Sequence, residues 1–241
     1  MADGLSVFRS PSKFANGLTY DPSGNLVICE HQRRAITRIK KEGMEETLAD
    51  SFQGMKLNSP NDVISAKDGS ILFTDPIYGL RSGSGGPGKQ ELPFQGVFRL
   101  PPMSSELQLI TDSFERPNGL VLSKDEKTLF INDTVRQHIR TFNIDKNWNV
   151  TGGQVWVELR DDKFDGRPDG MKLDANGNLF STGPGGIWVF DKDAVLLGRI
   201  YLPEKTSNLN WGDADQKSLY ITSSSTVYRI RCKTSGKFHT N

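Results

Sequence analysis

The chain has 241 residues, of which 35% are hydrophobic and 24% are charged, and its formal net charge is +1. This nearly neutral charge gives no reason to expect nucleic acid or an anionic membrane as a partner. No apolar run approaches the roughly 20 residues that span a bilayer, and the N-terminus lacks the basic and apolar regions of a signal peptide. With only two cysteines, Cys29 and Cys232, the composition predicts a globular, cytoplasmic protein with reduced thiols.

A repeated unit runs along the chain. In each of five segments an Asn or Asp, here called the anchor, precedes a short apolar run, a polar turn and a second apolar run. The anchors, in chain order, are Asn16, Asn61, Asn118, Asp169 and Asn208. The second apolar run begins 10, 10, 11, 10 and 11 residues after them. Such regular spacing indicates a repeat of paired strands.

Each unit continues with further segments that resemble strands. The third segments alternate apolar and polar residues, as half-buried strands do: AITRIKK, GVFRLPP, HIRTFNID, GIWVFDKD and TVYRIRC. Fourth segments follow in most units: ETLAD, LQLITD, QVWVEL and LLGRIYLP. Units that recur every 39 to 57 residues without helical periodicity predict an all-β fold, a β-propeller. One Gly- and Ser-rich insert after Tyr78, RSGSGGPGKQELPFQ, is interpreted as a loop over the pocket.

The two ends of the repeat differ from its middle. VFRS at residues 7–10 is interpreted as a fourth strand without three strands before it, and TVYRIRC as a third strand without a fourth. About five blades are therefore recognisable in one domain spanning 1–241. Either five blades close the ring by an unusual pairing, or the N-terminal blade is incomplete. We favour incompleteness because an open ring exposes two strand edges, and we expect an N-terminal extension of roughly 45 residues, one repeat, to raise stability and activity.

The anchors predict a polar ring. The innermost strands of a propeller all begin at one end of the central channel, so residues that precede them converge. A second tier is expected where the second strands return to this end, formed by His31, Asp75, Asp133 and Ser223. Amide and carboxylate oxygens suit a hard cation such as Ca²⁺. The alternative is that each Asn or Asp only forms a turn with its short side chain.

Three runs carry a family resemblance: NSPNDVISAKDGSILFTDPIYGL, FERPNGLVLSKDEKTLFINDT and PDGMKLDANGNLFSTGPGGIWVFD. The chain resembles the gluconolactonase/regucalcin family of metal-dependent lactone hydrolases, which implies a six-bladed propeller around one divalent metal ion. By motif match the metal ligands are Asn61, Asn118 and Asp169, with substrate contact as the alternative role of Asn61. The family's further ligand, a Glu in an EGP-type motif, has no counterpart here, which implies weaker metal binding because ligand charge tunes affinity.

The resemblance also implies the chemistry. Ca²⁺ is the expected ion, with Zn²⁺, Mn²⁺, Mg²⁺ and Fe²⁺ as alternatives, and a small sugar lactone is the expected substrate. Water would attack the lactone carbonyl with Asp169 as general base, or alternatively Asp133. The predicted substrate contacts are Asn16, His31, Asn61, Asp75 and Tyr78. For His31 a structural role is the equal alternative.

The sequence is also compatible with two other functions. A related metal propeller could hydrolyse other esters or organophosphates, and the missing Glu is compatible with a metal-binding propeller that has no catalytic activity. The sequence has no Ser-His-Asp order and no nucleophile-elbow pattern, which argues against covalent serine catalysis. It also has no dinucleotide fingerprint and no P-loop.

Overall fold

The computed structural model describes residues 6–83 and 88–236. The first sheet contains β1 (Ala15–Tyr20), β2 (Leu26–Glu30), β3 (Ala35–Ile39) and β4 (Glu45–Ala49). A short hairpin follows, formed by β5 (Ser51–Phe52) and β6 (Met55–Lys56). The second sheet contains β7 (Val63–Ser65), β8 (Ile71–Asp75), β9 (Gly96–Leu100) and β10 (Gln108–Thr111), with a 3-10 turn at Tyr78–Leu80 between β8 and β9.

The other three sheets repeat this plan. The third contains β11 (Pro117–Leu122), β12 (Thr128–Asp133), β13 (His138–Ile144) and β14 (Val150–Glu158). The fourth contains β15 (Met171–Leu173), β16 (Leu179–Gly183), β17 (Gly186–Phe190) and β18 (Leu196–Tyr201). The fifth contains β19 (Thr206–Gly212), β20 (Ser218–Ser223) and β21 (Thr226–Arg231).

Within each sheet, strands that are consecutive in the chain pair antiparallel. The five repeats therefore form five sheets in a propeller arrangement, and the prediction of an all-β propeller is confirmed. The described residues contain no α-helix, and hence no helix long and apolar enough to cross a bilayer.

Aspartates close several of the hairpins. Asp21 Oδ1 accepts the backbone N–H groups of Ser23 and Asn25, and Asn25 Nδ2 donates to Asp21 Oδ2 at 2.9 Å. Gly24 lies between them with φ of +79°, a backbone conformation that glycine adopts without strain. The same hydrogen bonds recur around Asp145 and Asp174. The turns at Asp21 and Asp174 lie between a first and a second strand, so they set the distance from anchor to second strand in their units, whereas the turn at Asp145 joins β13 to β14.

Four apolar cores lie between successive sheets. The core between the first and second sheets contains Cys29, the stacked rings of Phe73 and Phe98 at 5.5 Å, and Leu92 from the insert. Equivalent cores join the second sheet to the third, the third to the fourth and the fourth to the fifth. Each buried large side chain contributes roughly 1.5–3 kcal/mol, so this packing holds the blades in their radial order.

The outer faces of the first and fifth sheets differ from the inner ones. Among the described residues no apolar core joins these two sheets. Large side chains are open to solvent there: Leu18 is 57% exposed, Tyr20 68% and Val227 67%. The incompleteness of the N-terminal blade stays a prediction.

The predicted strand at residues 7–10 is wrong, because these residues form no strand. The segment is instead held by an ion pair: Arg9 Nη1 lies 2.6 Å from Oε1 of Glu30, whose side chain is fully buried at the end of β2. Arg9 Nη2 also lies 3.0 Å from Glu45. Because a buried carboxylate needs a partner, charge pairing rather than strand pairing fixes the path of this segment.

Candidate functional site

A cavity of about 570 Å³ lies where the five sheets meet. Residues from every sheet line it, together with the 3-10 turn: Asn16, Asn61, Tyr78, Asn118, Thr134, Asp165, Gly166, Arg167, Pro168, Asp169, Lys205, Thr206 and Ser207. Four of the five anchors are among them, as is Tyr78. The anchors therefore converge from distant points of the sequence, as the repeat predicted.

The fifth anchor, Asn208, does not line this cavity within the described part of the chain. Its Oδ1 accepts the backbone N–H of Leu209 at 2.8 Å. The side chain also packs against Gly170, where a Cβ would overlap Asn208 Oδ1. Asn208 thus lies within β19, and its side chain bonds to the next backbone N–H, a local role like the alternative considered for every anchor.

The glycine that follows an anchor lets the neighbouring blade approach. Gly17 N–H donates to the carbonyl of Asn61 at 2.8 Å, and Gly170 N–H donates to the carbonyl of Ser207 at 2.9 Å. At Gly119 an added Cβ would overlap the carbonyl oxygen of Asp169. Because only glycine permits this contact, the Asn-Gly and Asp-Gly pairs set the distance between anchors of adjacent blades.

The side-chain oxygen of Asn118 accepts no hydrogen bond from any described residue. It is 4% exposed, and its Nδ2 donates to Thr134 Oγ1 at 3.1 Å. Thr134 Oγ1 in turn donates to the carbonyl of Pro168 at 2.8 Å, which ties the third blade to the fourth. The buried Oδ1 of Asn118 has no hydrogen-bond partner among the described residues. A buried polar atom without a partner costs folding free energy, and a bound ligand would remove this cost.

Asp169 lies beside this amide. Burial, reinforced by the negative charge of Asp62, raises the pKa of Asp169 from its ordinary value of 3.8 to about 7, against the opposing effect of a hydrogen bond from Asn118. The backbone N–H of Asp169 donates to Thr182 Oγ1 at 2.7 Å, so the main chain is held in place. A nearby positive charge would favour the carboxylate form.

This donor set fits a hard divalent cation. Among residues 6–83 and 88–236 no cluster of three or more His, Cys, Asp or Glu could hold a metal ion. The cavity instead presents the Asp169 carboxylate, the orphaned Asn118 Oδ1 and the amide of Asn61, whose side chain hydrogen-bonds to no other described residue. Oxygen donors of this kind suit Ca²⁺ in preference to softer metals.

Asp75 and Asp133, both predicted for the site, lie behind the cavity. Both are fully buried, and neither is among the described residues that line it. Asp75 Oδ2 accepts the N–H of Asn58 at 2.7 Å. Asp133 Oδ2 accepts the N–H of Glu115 at 2.8 Å, and its Oδ1 accepts the N–H of Val135 at 3.0 Å. Each carboxylate therefore holds the segment that leads into the innermost strand of its own blade.

His31 and Ser223, the other two residues of the predicted second tier, also do not line the cavity within the described part of the chain. His31 is 8% exposed, and its Nε2 lies 3.2 Å from Asn16 Nδ2. Gly79, in the 3-10 turn, packs so closely on His31 that a Cβ there would meet the His31 Cβ at 2.6 Å. Ser223 Oγ donates to the carbonyl of Glu204 at 2.9 Å. His31 thus supports two cavity-lining elements, Asn16 and the turn that carries Tyr78.

The burial of Asp75 predicts a pH effect on stability. Desolvation raises its pKa from 3.8 to about 7, although N–H groups of Asn58 and Ser59 oppose the shift. An acid with a raised folded-state pKa stabilises the protein fully below its unfolded pKa, and that contribution is lost as the pH rises through the folded value. The loss amounts to roughly 4 kcal/mol, since one pKa unit corresponds to about 1.4 kcal/mol.

We therefore expect the thermal midpoint of Asp75→Asn, measured without added metal, to change less between weakly acidic and neutral pH than that of the parent. The Asn oxygen can still accept the Asn58 N–H. The matched control is Asp193→Asn, whose side chain is 67% exposed. If the parent and Asp75→Asn showed parallel pH profiles, Asp75 would be ionised at no cost and this interpretation of its burial would fail.

Sequence reasoning missed several residues of the cavity: Thr134, Asp165, Arg167, Lys205, Thr206 and Ser207. One signal was present, because Arg-Pro precedes the anchor in both the third and the fourth unit. The remaining residues follow a second strand or belong to the segments that enter the fourth and fifth sheets.

Comparisons with known proteins agree with this architecture. The profile of the SMP-30/Gluconolactonase/LRE-like region matches residues 2–225. A gluconolactonase from Zymomonas mobilis subsp. mobilis is 35% identical over an alignment of 255 positions, which covers 97% of this chain and 71% of the relative. A gluconolactonase structure from Xanthomonas campestris is 40% identical, with a TM-score of 0.83 over 91% of this chain and 72% of that one. A structural-genomics target assigned as a gluconolactonase gives a TM-score of 0.90 at 34% identity, over 98% and 80% of the two chains. The chain belongs to the SMP-30/gluconolactonase/LRE-like family.

Proposed function

We propose that this chain hydrolyses sugar lactones in the central cavity, with one divalent cation, Ca²⁺ by preference, held by Asn61, Asn118 and Asp169. The observation that carries the proposal is the buried Oδ1 of Asn118, which has no hydrogen-bond partner in the described part of the chain and lies beside the carboxylate of Asp169 in a cavity of substrate size. The names of the Zymomonas and Xanthomonas relatives support the lactone as substrate.

Asp169 is the proposed general base. It takes a proton from the water that adds to the lactone carbonyl, and it returns this proton to the ring oxygen as the ring C–O bond breaks. The products are a carboxylic acid and a hydroxyl group. Asp169 lines the cavity beside Asn118, and a bound cation would favour the ionised form that can accept a proton. When bound, a divalent cation would polarise the carbonyl and stabilise the charge that develops on its oxygen.

Tyr78 and Asn16 are the proposed contacts for the sugar hydroxyls. Burial raises the pKa of Tyr78, so its hydroxyl keeps its proton and can donate a hydrogen bond. Asn16 is oriented by His31. We therefore assign His31, Asp75 and Asp133 as positioning residues, because they support the cavity from behind.

A pH-stat assay tests the proposal. Chelator-treated protein is offered glucono-1,5-lactone, a simple ester and an organophosphate, each with and without Ca²⁺, Zn²⁺ or Mn²⁺. We expect rapid lactone opening above the spontaneous rate, restored by metal after chelation. Preference for the ester or the organophosphate would favour a related hydrolase. Metal binding without turnover of any substrate would identify a metal-binding propeller and overturn the proposal.

Thr134 is expected to tune metal binding from outside the ligand set. Thr134→Val removes the hydroxyl that accepts the Asn118 amide hydrogen and donates to Pro168. Residues that orient a ligand are worth about 10- to 100-fold in affinity, so we expect a loss of that order by calorimetry. Thr134→Ser should restore binding, and Thr151→Val, at an exposed position of β14, should not change it. Equal affinities in Thr134→Val and the parent would show that Asn118 needs no such support.

A further inference from the structure

Two arginines occupy the same position in adjacent blades. Arg116 precedes the third unit's anchor in Arg-Pro-Asn-Gly, and Arg167 precedes the fourth unit's anchor in Arg-Pro-Asp-Gly. Their main chains are fixed from the second strands, since Thr134 N–H donates to the Arg116 carbonyl at 3.1 Å and Thr182 Oγ1 to the Arg167 carbonyl at 3.4 Å. Each arginine therefore lies two residues before an anchor that lines the cavity.

The Arg116 guanidinium lies over the ring of Tyr78, 5.1 Å from its centroid, and Arg81 lies 5.9 Å from the same ring. Tyr78 and Arg167 both line the cavity. Arg116 Nε is buried without a hydrogen-bond partner among the described residues. Within that same part of the chain, none of the three arginines lies within 4.0 Å of a carboxylate oxygen.

The acids nearby are already engaged. Asp165 lies 2.9 Å from Lys205, and Glu115 lies 3.6 Å from Arg136. Glu204 accepts hydrogen bonds from Ser225. Asp169 is then the one cavity-lining carboxylate, among the described residues, that has no cation within 4.0 Å.

We propose that the cavity mouth recognises an anionic group on the lactone, a carboxylate or a phosphate remote from the reacting carbonyl, through Arg116 and Arg167. The inference rests on the proposed lactonase function and narrows its substrate class to anionic sugar lactones. Guanidinium groups bind carboxylate and phosphate through paired, charge-assisted hydrogen bonds. A neutral sugar would leave these cations unpaired, whereas an anion would satisfy them. The stack on Tyr78 holds the Arg116 side chain ready for this contact.

Three sugar lactones that differ in charge test the inference under one metal condition. Glucono-1,5-lactone is neutral, glucaro-1,4-lactone carries a carboxylate and 6-phosphoglucono-1,5-lactone carries a phosphate. We expect at least one anionic lactone to have a kcat/KM about tenfold or more above that of the neutral one, since hydrogen bonds to a charged group are stronger than those to a neutral one. The preferred anion identifies the source of the negative charge.

Arg116→Gln and Arg167→Gln should each reduce the ratio of anionic to neutral kcat/KM by about tenfold. Arg160→Gln, an exposed arginine paired with Glu158, is the matched control and should leave the ratio unchanged. Added salt should lower the anionic rates more than the neutral rate, because screening weakens exposed charge interactions. A neutral lactone that is preferred, or equal ratios in all variants, would overturn the inference while leaving the lactonase function intact.

Binding measurements keep the inference testable if no lactone is opened, an outcome that would contradict the proposed function alone. Calorimetry with glucitol 6-phosphate and with neutral glucitol should then show about tenfold tighter binding of the phosphate. Arg167→Gln should abolish that difference, and Arg160→Gln should retain it. Equal affinities of the parent protein for the two ligands would overturn the inference.

Discussion

Asp169→Asn is expected to lower kcat/KM for lactone hydrolysis about a thousandfold, within the range that loss of a general base produces. The substitution preserves size and shape but removes the proton acceptor. It also removes the negative charge that would hold a divalent cation, since Asn61 and Asn118 contribute neutral amides. The measurement is initial rate against lactone concentration in the pH-stat at saturating metal.

The matched control is Asp193→Asn, an exposed aspartate in the same blade that should retain the parent rate. Folding can be checked independently, because burial disfavours ionised Asp169 and the variant should melt no lower than the metal-free parent. An active Asp169→Asn with unchanged metal affinity would show that another residue carries the chemistry.

Gly119→Ala is expected to destabilise the fold by roughly 3 kcal/mol, at the upper end of what overpacking a rigid interior costs. The added Cβ would overlap the backbone oxygen of Asp169 and come within 2.9 Å of Asn132 Nδ2. Backbone cannot rotate away as a flexible side chain can, so the third and fourth blades must separate. Asp169 would move with its blade, and activity should fall even where the variant remains folded.

Gly198→Ala provides the control, because its Cβ would meet nothing within 4 Å and its φ is not positive. Chemical denaturation of the parent and both variants measures the difference in the free energy of unfolding. If Gly119→Ala were as stable as Gly198→Ala, the close approach between anchors would not be what sets their spacing.

The fold could be predicted from the sequence because its signals are local and repeated. Aspartate turns such as that at Asp21 fix the hairpin length, so equal spacings indicate equal blades. The convergence of Asn16, Asn61, Asn118 and Asp169 followed from the same register. Residues 7–10 were predicted wrongly because they stand where the repeat would place a fourth strand, whereas the ion pair between Arg9 and buried Glu30 decides their path.

The orientation of side chains at the site could not be predicted in the same way. Asn208 has the register of the other anchors, but its side chain bonds to the next backbone N–H. Asp75 and Asp133 end second strands near the channel, yet backbone N–H groups of their own blades hold them. Which hydrogen-bond partner each side chain takes depends on backbone positions in three dimensions. Only the paired Arg-Pro dipeptides at Arg116 and Arg167 left a readable trace of the cavity mouth.

A crystal structure of the protein soaked in Ca²⁺, with anomalous differences recorded at long wavelength, tests the proposed site most directly. We expect one ion in the central cavity. Asn118 Oδ1 and an Asp169 carboxylate oxygen should lie at the roughly 2.3–2.6 Å from the ion that is typical of Ca²⁺ ligands. Asn61 should complete the protein ligands. An ion bound elsewhere, or a cavity without one in protein that opens lactones under the same metal condition, would contradict it.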